Sequence, residues 1–394
     1  MMFGTKTWGS ESREIHFCKI MTILIITLTP TLEKSISMTT ATAWITLVLL
    51  LMPCVTVASS FDEFKKIYNR QYTASEEALR KQIFNENVRL SDTHNMKEGV
   101  TWKKGVTQFS DLTKEEFQKH HTMAGFHNAT RNVAAVAAAA SVSIDHAADR
   151  ALLATLPLSV DWTLIGAVTP VKNQGQCGSC WVFAATGSME GALSIASGKA
   201  AVSLSEEEYL ACYGKDYTVC NGGDAAQALR WAQNHSICTE ASYPYVAPTG
   251  KPFPPPPTLV CHASNCSNPA NVGVPQGYVT QIHYVTPKSE VALMEAVSIG
   301  PVAVSIDAGA LSQYRSGVIS GQCAGYIGDH AVLVVGYGHD DASGLDYWKV
   351  KNSYGIDFGE AGYFRAQRNN TKCGGGTGEM GILESPVYPT IVVK

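Results

Sequence analysis

Charge is scarce in this chain. Only 16% of its 394 residues are Asp, Glu, Lys or Arg, and the formal net charge is −4. No block of Lys or Arg is present, which removes the electrostatic footprint of a nucleic-acid-binding protein. No internal repeat recurs along the sequence, so solenoid and propeller architectures are excluded. Long apolar runs are absent too. The most apolar stretch, Trp44 to Val57, has 14 residues, short of the roughly 20 that a membrane-spanning helix needs.

That same stretch is followed by the small residues Ala58-Ser59-Ser60, the pattern of a secretory signal peptide and its cleavage site, although no basic flank precedes it. A signal anchor is the alternative. A second apolar stretch lies at Met21 to Leu28, and Met38 offers an internal start. Cysteine, by contrast, is plentiful: eleven, beside 34 glycines. This usage fits an oxidising compartment and a bridged fold. Four Asn-x-Ser/Thr sequons, at Asn128, Asn234, Asn265 and Asn369, add candidate glycan sites.

Composition divides the chain into 1–59 (extension and signal), 61–125 (polar and helix-rich), 126–155 (Ala-rich linker and processing region) and 156–394 (a compact domain). Within the second part, Glu76, Arg80, Phe84, Asn87 and Asn95 recur at spacings of 4, 4, 3 and 8, which puts them on one helical face. Gly105 to Asp111 reads as a strand or extended turn, and Thr113 with Glu116 has the form of a capping box. The compact domain shows helical patterns after Cys180 and at Asp224 to Asn234. Strand-like runs follow at Val302 to Ile306, Ala331 to Val335 and Asp346 to Val350. Helices first and strands later predict an α+β protein of two lobes. The segment with Pro254 to Pro257 is expected to be an exposed loop.

The run Gln174-Gly175-Gln176-Cys177-Gly178-Ser179-Cys180-Trp181 carries the chemistry. It places Cys180 at the start of an apolar helix, where unpaired N–H groups and the macrodipole favour a thiolate. Gln174 can supply a side-chain donor beside the sulfur. Cys177 and Cys180 also form a C-x-x-C, readable alone as a redox pair or half a zinc site. The redox reading requires the two sulfurs to bond each other. Far downstream, His330 opens a strand run and Asn352 follows another.

Four segments in order, QGQCGSCW, CNGG (Cys220 to Gly223), DHAV (Asp329 to Val332) and KNSYG (Lys351 to Gly355), resemble those of papain-family cysteine peptidases. The preceding region resembles a cathepsin L-like inhibitory prosegment. The resemblance implies a papain-like α+β fold, with a helical left lobe, a β-barrel-like right lobe and an N-terminal helical prodomain. It implies a zymogen whose Cys180 is the nucleophile, His330 the proton carrier in a thiolate–imidazolium pair, and Asn352 the group that orients the imidazole. Gln174 and the Cys180 N–H would form the oxyanion hole. Gly222, Gly223, Asp224, Ala225, Ser305, Gly328 and Tyr354 are the implied substrate-binding positions. The implied partners are polypeptide substrates, the chain's own prodomain and cystatin-like inhibitors. A monomer without metal or organic cofactor is expected, in the secretory pathway, bound for a lysosome or vacuole or for the extracellular space. A cathepsin B-like exopeptidase and a non-catalytic binding or storage protein are the alternatives.

Several residues depart from the family pattern. Tyr354 stands where a tryptophan usually shields the Asn–His contact, Ser91 where the prosegment helix usually carries Ile, and Thr107 where Asn is usual. Asp224 would let the pocket accept a basic side chain, with Gly378, Glu379 or Ser385 at its floor. The resemblance pairs Cys177 with Cys220 and Cys323 with Cys373. It leaves Cys212 to join Cys261 or Cys266, with Cys238 taking the other. His120, His121, His262 and His339 have no supporting motif and are read as surface residues.

Overall fold

The computed structural model describes residues 60–123, 152–213, 220–246, 261–262, 266–324, 328–373 and 376–394. The signal run, nearly all of the Ala-rich linker, the Pro254–Pro257 segment and the sequons at Asn128 and Asn265 lie outside the described residues. Among those described, no helix is long and apolar enough to cross a membrane.

The prosegment begins with helices α1 (Phe61–Ile67) and α2 (Ala74–Asn95), followed by strand β1 (Trp102–Lys104) and helix α3 (Lys114–His121). Both α2 and α3 start on capping boxes, Thr73 with Glu76 and Thr113 with Glu116. The predicted face of α2 has a definite task. Phe84 is buried against Phe61 and Phe64, while Arg80 and Asn87 hold the turn that follows β1 and Asn95 holds the end of β1 itself. Arg80 pairs with Glu116 at 2.7 Å and donates to the Asp111 carbonyl. The Asn87 amide donates to the carbonyls of Ser110 and Leu112, and the Asn95 amide to that of Lys104. Gly105 to Asp111 is therefore an extended stretch running into a turn, not a strand.

The helical half of the remaining chain is built on α4 (Cys180–Ser197) and α5 (Ala225–Ala232), with a two-stranded sheet of β3 (Ile237–Cys238) and β4 (Val272–Val274). The other half holds α6 (Glu290–Ile299) and a sheet from β2 (Val160–Asp161), β5 (Val279–Tyr284), β6 (Val302–Ile306), β7 (Tyr314–Ile319), β8 (His330–Asp340), β9 (Leu345–Lys351), β10 (Tyr363–Gln367) and β11 (Val387–Ile391). Strand order is β1-β7-β10-β9-β8-β6-β11-β5, with β2 on β8. The barrel-like lobe expected from the sequence is thus an open sheet with two ends. One end is β1: the prosegment adds its own strand, antiparallel, with Trp102 opposite Gly317.

Alternation in β6 and β8 joins the two halves. Val302, Val304, Val332 and Val334 enter the core of the sheet half, whereas Ala303 and Ala331 face the cluster around α4. Helix α4 lies close on β8 at Gly187, where a Cβ would sit 2.8 Å from a Leu333 methyl. This contact brings the N-terminus of α4 to the start of β8.

Candidate active site

Cys180 is the first residue of α4 and the free cysteine among the described residues. Its Sγ accepts the N–H of Ala331 at 3.4 Å, so the sulfur lies against the residue next to His330. His330 Nε2 and Asn352 Oδ1 are 2.8 Å apart. The other ring nitrogen, Nδ1, is buried without a hydrogen-bond partner among the described residues. The Tyr354 ring covers this pair, stacked on His330 at 4.8 Å and only 1% exposed.

Gln174 is fixed from several sides. Its N–H donates to the Ser353 carbonyl, and Ser353 Oγ donates to its Oε1. Its Nε2 donates to the Cys177 carbonyl at 2.8 Å and reaches the His121 carbonyl of the prosegment at 3.4 Å. Cys177 is bonded to Cys220, not to Cys180, which removes the redox-pair and zinc readings. Gly178 is wedged beside this bridge. A Cβ there would lie 2.4 Å from the Cys220 oxygen and 2.9 Å from the prosegment's Thr122 oxygen. The other bridges are Cys212–Cys261, Cys238–Cys266 and Cys323–Cys373, which resolves the pairing that the sequence left open.

The prosegment lies directly over these groups. The Tyr354 hydroxyl donates to the His121 carbonyl at 2.9 Å, and the Met123 N–H donates to the Asp329 carbonyl. Met123 is buried in the same apolar cluster as Trp181 and Ala226. His121, read from the sequence as a surface residue, is only 8% exposed: its ring packs on Phe109 and Phe117 and meets the Gly175 carbonyl at 3.1 Å. It stands four residues after Phe117 on α3, a spacing that marks a shared face.

Burial controls the ionisation here. It pushes the Cys180 thiol up to about 12, against the N–H of Ala331. It lowers the His330 imidazole to about 4, against its bond to Asn352. The field of the α4 N-terminus, which alone favours a thiolate, is outweighed by this burial. In the precursor, burial thus disfavours the charged form of both groups. Behind Asn352 lies a buried ionic cluster. Burial works against the charge on Lys172, but the carboxylates of Glu190 and Glu206, at 2.9 and 2.7 Å, raise it above its ordinary value.

The other sequence candidates are distributed unevenly. Gly223 is pressed against the Trp181 indole, and Gly222 has φ +115. The Asp224 carboxylate caps α5 by accepting the Ala226 N–H at 2.9 Å, and Ala225 opens that helix. Ser305 is partly buried on β6. Gly328 backs onto the Ile306 main chain, where a Cβ would come within 2.5 Å. Glu379 is fully buried and accepts the N–H groups of Gly321 and Gln322 and the Asn370 amide. Its carboxylate is turned away to these donors. Ser385 remains partly exposed.

Known proteins carry the same architecture. The papain family cysteine protease profile matches residues 156–390, and the cathepsin propeptide inhibitor domain (I29) matches residues 61–117. Fruit bromelain from Ananas comosus is 37% identical over 338 residues, covering 84% of this chain and 86% of its own. Digestive cysteine proteinase 3 of Homarus americanus is 37% identical, covering 85% and 96%. Among solved structures, a recombinant stem bromelain precursor superposes with a TM-score of 0.67 at 35% identity, covering 84% of this chain and 97% of that one. Procathepsin L 3 from the larval midgut of Tenebrio molitor gives 0.66 at 33%, with 84% and 97% covered. The chain belongs to the papain family of cysteine proteases, and it is a peptide-bond hydrolase made as a zymogen with an I29-type propeptide.

Proposed function

We propose that the matured chain is an endopeptidase in which Cys180, His330 and Asn352 act as a triad and Gln174 with the Cys180 N–H binds the developing oxyanion. The observation that carries this reading is the meeting of the α4 sulfur with the start of β8, where the His330 ring is already oriented by Asn352. With the prosegment gone, water returns to the cleft and the cost of charging both groups falls. The thiol proton passes to His330 Nδ1, the ring nitrogen that Asn352 leaves free. The thiolate attacks the scissile carbonyl carbon, and the oxyanion takes hydrogen bonds from Gln174 Nε2 and the Cys180 N–H. Collapse breaks the C–N bond as Nδ1–H protonates the leaving amine, giving a thioester. Water then gives its proton to Nδ1 and attacks the thioester. The carboxyl product leaves and the thiol is restored.

Substrates are polypeptides bound beside Gly222 and Gly223, with Ala225, Ser305, Gly328 and Tyr354 lining the cleft. The use of Asp224 as a helix cap and the closure of Glu379 favour an apolar pocket over an acidic one. Processing falls within 126–155, so that 156–394 is the mature enzyme, acting as a monomer and sensitive to cystatin-like inhibitors. The oxidised cysteines support a secretory route to a lysosome, vacuole or the extracellular space. The test is secretory expression of the full chain, acid maturation and peptide-library cleavage. Internal cleavage that disappears in Cys180→Ala is expected, and full proteolysis by the pure variant overturns the reading.

A further inference from the structure

We propose that Tyr245 is a positioning residue for hydrolysis, acting through Gln174 and the first turn of α4; this rests on the oxyanion-hole reading above. The Tyr245 hydroxyl donates to the Gln174 carbonyl at 2.9 Å and lies 2.8 Å from Ser179 Oγ. A phenol has one proton, and the carbonyl can only accept, so Ser179 is the donor in the second bond. Ser179 occupies the N-cap of α4, a position where serine ordinarily accepts from the first turn, yet its side chain makes no capping bond. Its hydroxyl is directed to Tyr245 instead. One oxygen thus ties together the two segments that supply the oxyanion donors: the Gln174 amide on one side and the Cys180 N–H, one residue after Ser179, on the other.

Tyr245 is itself firmly held. Its N–H donates to Glu240 Oε1 at 2.8 Å, and its ring meets that of Phe183, in the first turn of α4, edge-on at 4.9 Å and 79°. Ser353 and Tyr245 therefore grip Gln174 at opposite ends, side-chain oxygen and main-chain carbonyl, while one Nε2 proton goes to the Cys177 carbonyl and the other reaches toward the prosegment's His121 carbonyl. Donor placement of this kind matters because displacements near 1 Å at a reacting centre cost on the order of a hundredfold in rate.

Tyr245→Phe keeps the ring and removes only the hydroxyl. The test uses enzyme matured from the full chain, with concentrations set by active-site titration. Tyr245→Phe is expected to lower kcat about five- to twentyfold, with KM within twofold. In a Gln174→Ala background the same change is expected to have a clearly smaller effect, because one of the two donors it positions is gone. Ser179→Ala is expected to lower kcat in the same direction and carries the test if Tyr245→Phe does not fold. A merely structural role predicts equal fold-losses in both backgrounds, in step with a lowered Tm. That pattern, or an unchanged kcat in both single variants, overturns the proposal. Residual activity in Cys180→Ala would instead sink the underlying catalytic reading, so the two failures are told apart.

Discussion

The hydroxyl of Tyr354 and the side-chain amide of Gln174 address the same oxygen, the main-chain carbonyl of His121, at 2.9 and 3.4 Å. Autoinhibition here is local: a prosegment carbonyl occupies donors that stand close to Cys180. Tyr354→Phe removes one of them, worth about 0.5–1.5 kcal/mol. Alkylation of Cys180 in the intact precursor is expected to accelerate about two- to tenfold, measured as the labelling rate at neutral pH. An unchanged rate would show that this bond does not hold the prosegment down.

His121 gives the closure a pH dependence of defined sign. Burial holds its imidazole down to about 3, although the Gly175 carbonyl opposes this; nearby His120, Arg70 and His330 also disfavour its charge. The docked state therefore binds the proton less readily than the released one. Docking is at full strength above about pH 6.5 and weakens as the pH falls toward 3, by up to about 1.4 kcal/mol per pH unit. Labelling of Cys180 in His121→Phe, relative to the native chain, is expected to lose this slope between about pH 6 and 4. Equal slopes would assign the acid response elsewhere.

Glu208 acts on stability in the opposite direction of pH. It is 5% exposed, and burial pushes its carboxyl up to about 7 although it accepts the Cys238 N–H at 2.7 Å. A carboxyl raised on folding contributes stability that is fully present below about pH 4.5 and lost as pH rises through about 7. Its ionisation costs up to about 3 kcal/mol. Glu208→Gln is expected to raise Tm at pH 8 and to leave it unchanged near pH 4. A lowered Tm at both values would contradict this.

The Cys177–Cys220 bridge closes a loop with a sequence separation of 43 beside Cys180. Chain entropy assigns such a loop about 4 kcal/mol. Replacing both cysteines with serine is expected to lower the urea midpoint accordingly. Activity should fall further than stability alone explains, because Gly178 donates to the Cys220 carbonyl at 2.7 Å.

How legible this was differs residue by residue. Cys180 at a helix start, His330 opening one strand and Asn352 following another, and the α2 face bearing Arg80 and Asn87 could all be read, because motif and periodicity are local. The choice between Cys261 and Cys266 could not, since it depends on where the chain leaves β3 and β4. The Asp224 carboxylate was weighed as a pocket group, and its place just before an apolar helical run was the capping signal. His121 was misread because a polar residue on a short helix looks solvated until its partner surface is known. Tyr245 left no trace, since its two partners come from segments 71 and 66 residues away. The upward push on the Cys180 thiol was also hidden, because it comes from tertiary burial, which opposes the helix start that the motif announces.

The central claim is that Cys180 performs the chemistry and that the prosegment hides it. Its most direct measurement treats precursor and matured enzyme with a thiol-directed epoxide and maps the adduct by mass spectrometry while following peptide hydrolysis. The account predicts a single adduct on Cys180, formed in the matured enzyme in proportion to lost activity and slower by about a hundredfold or more in the precursor. Inactivation with Cys180 unmodified, or labelling of Cys180 at equal rates in both forms, would contradict it.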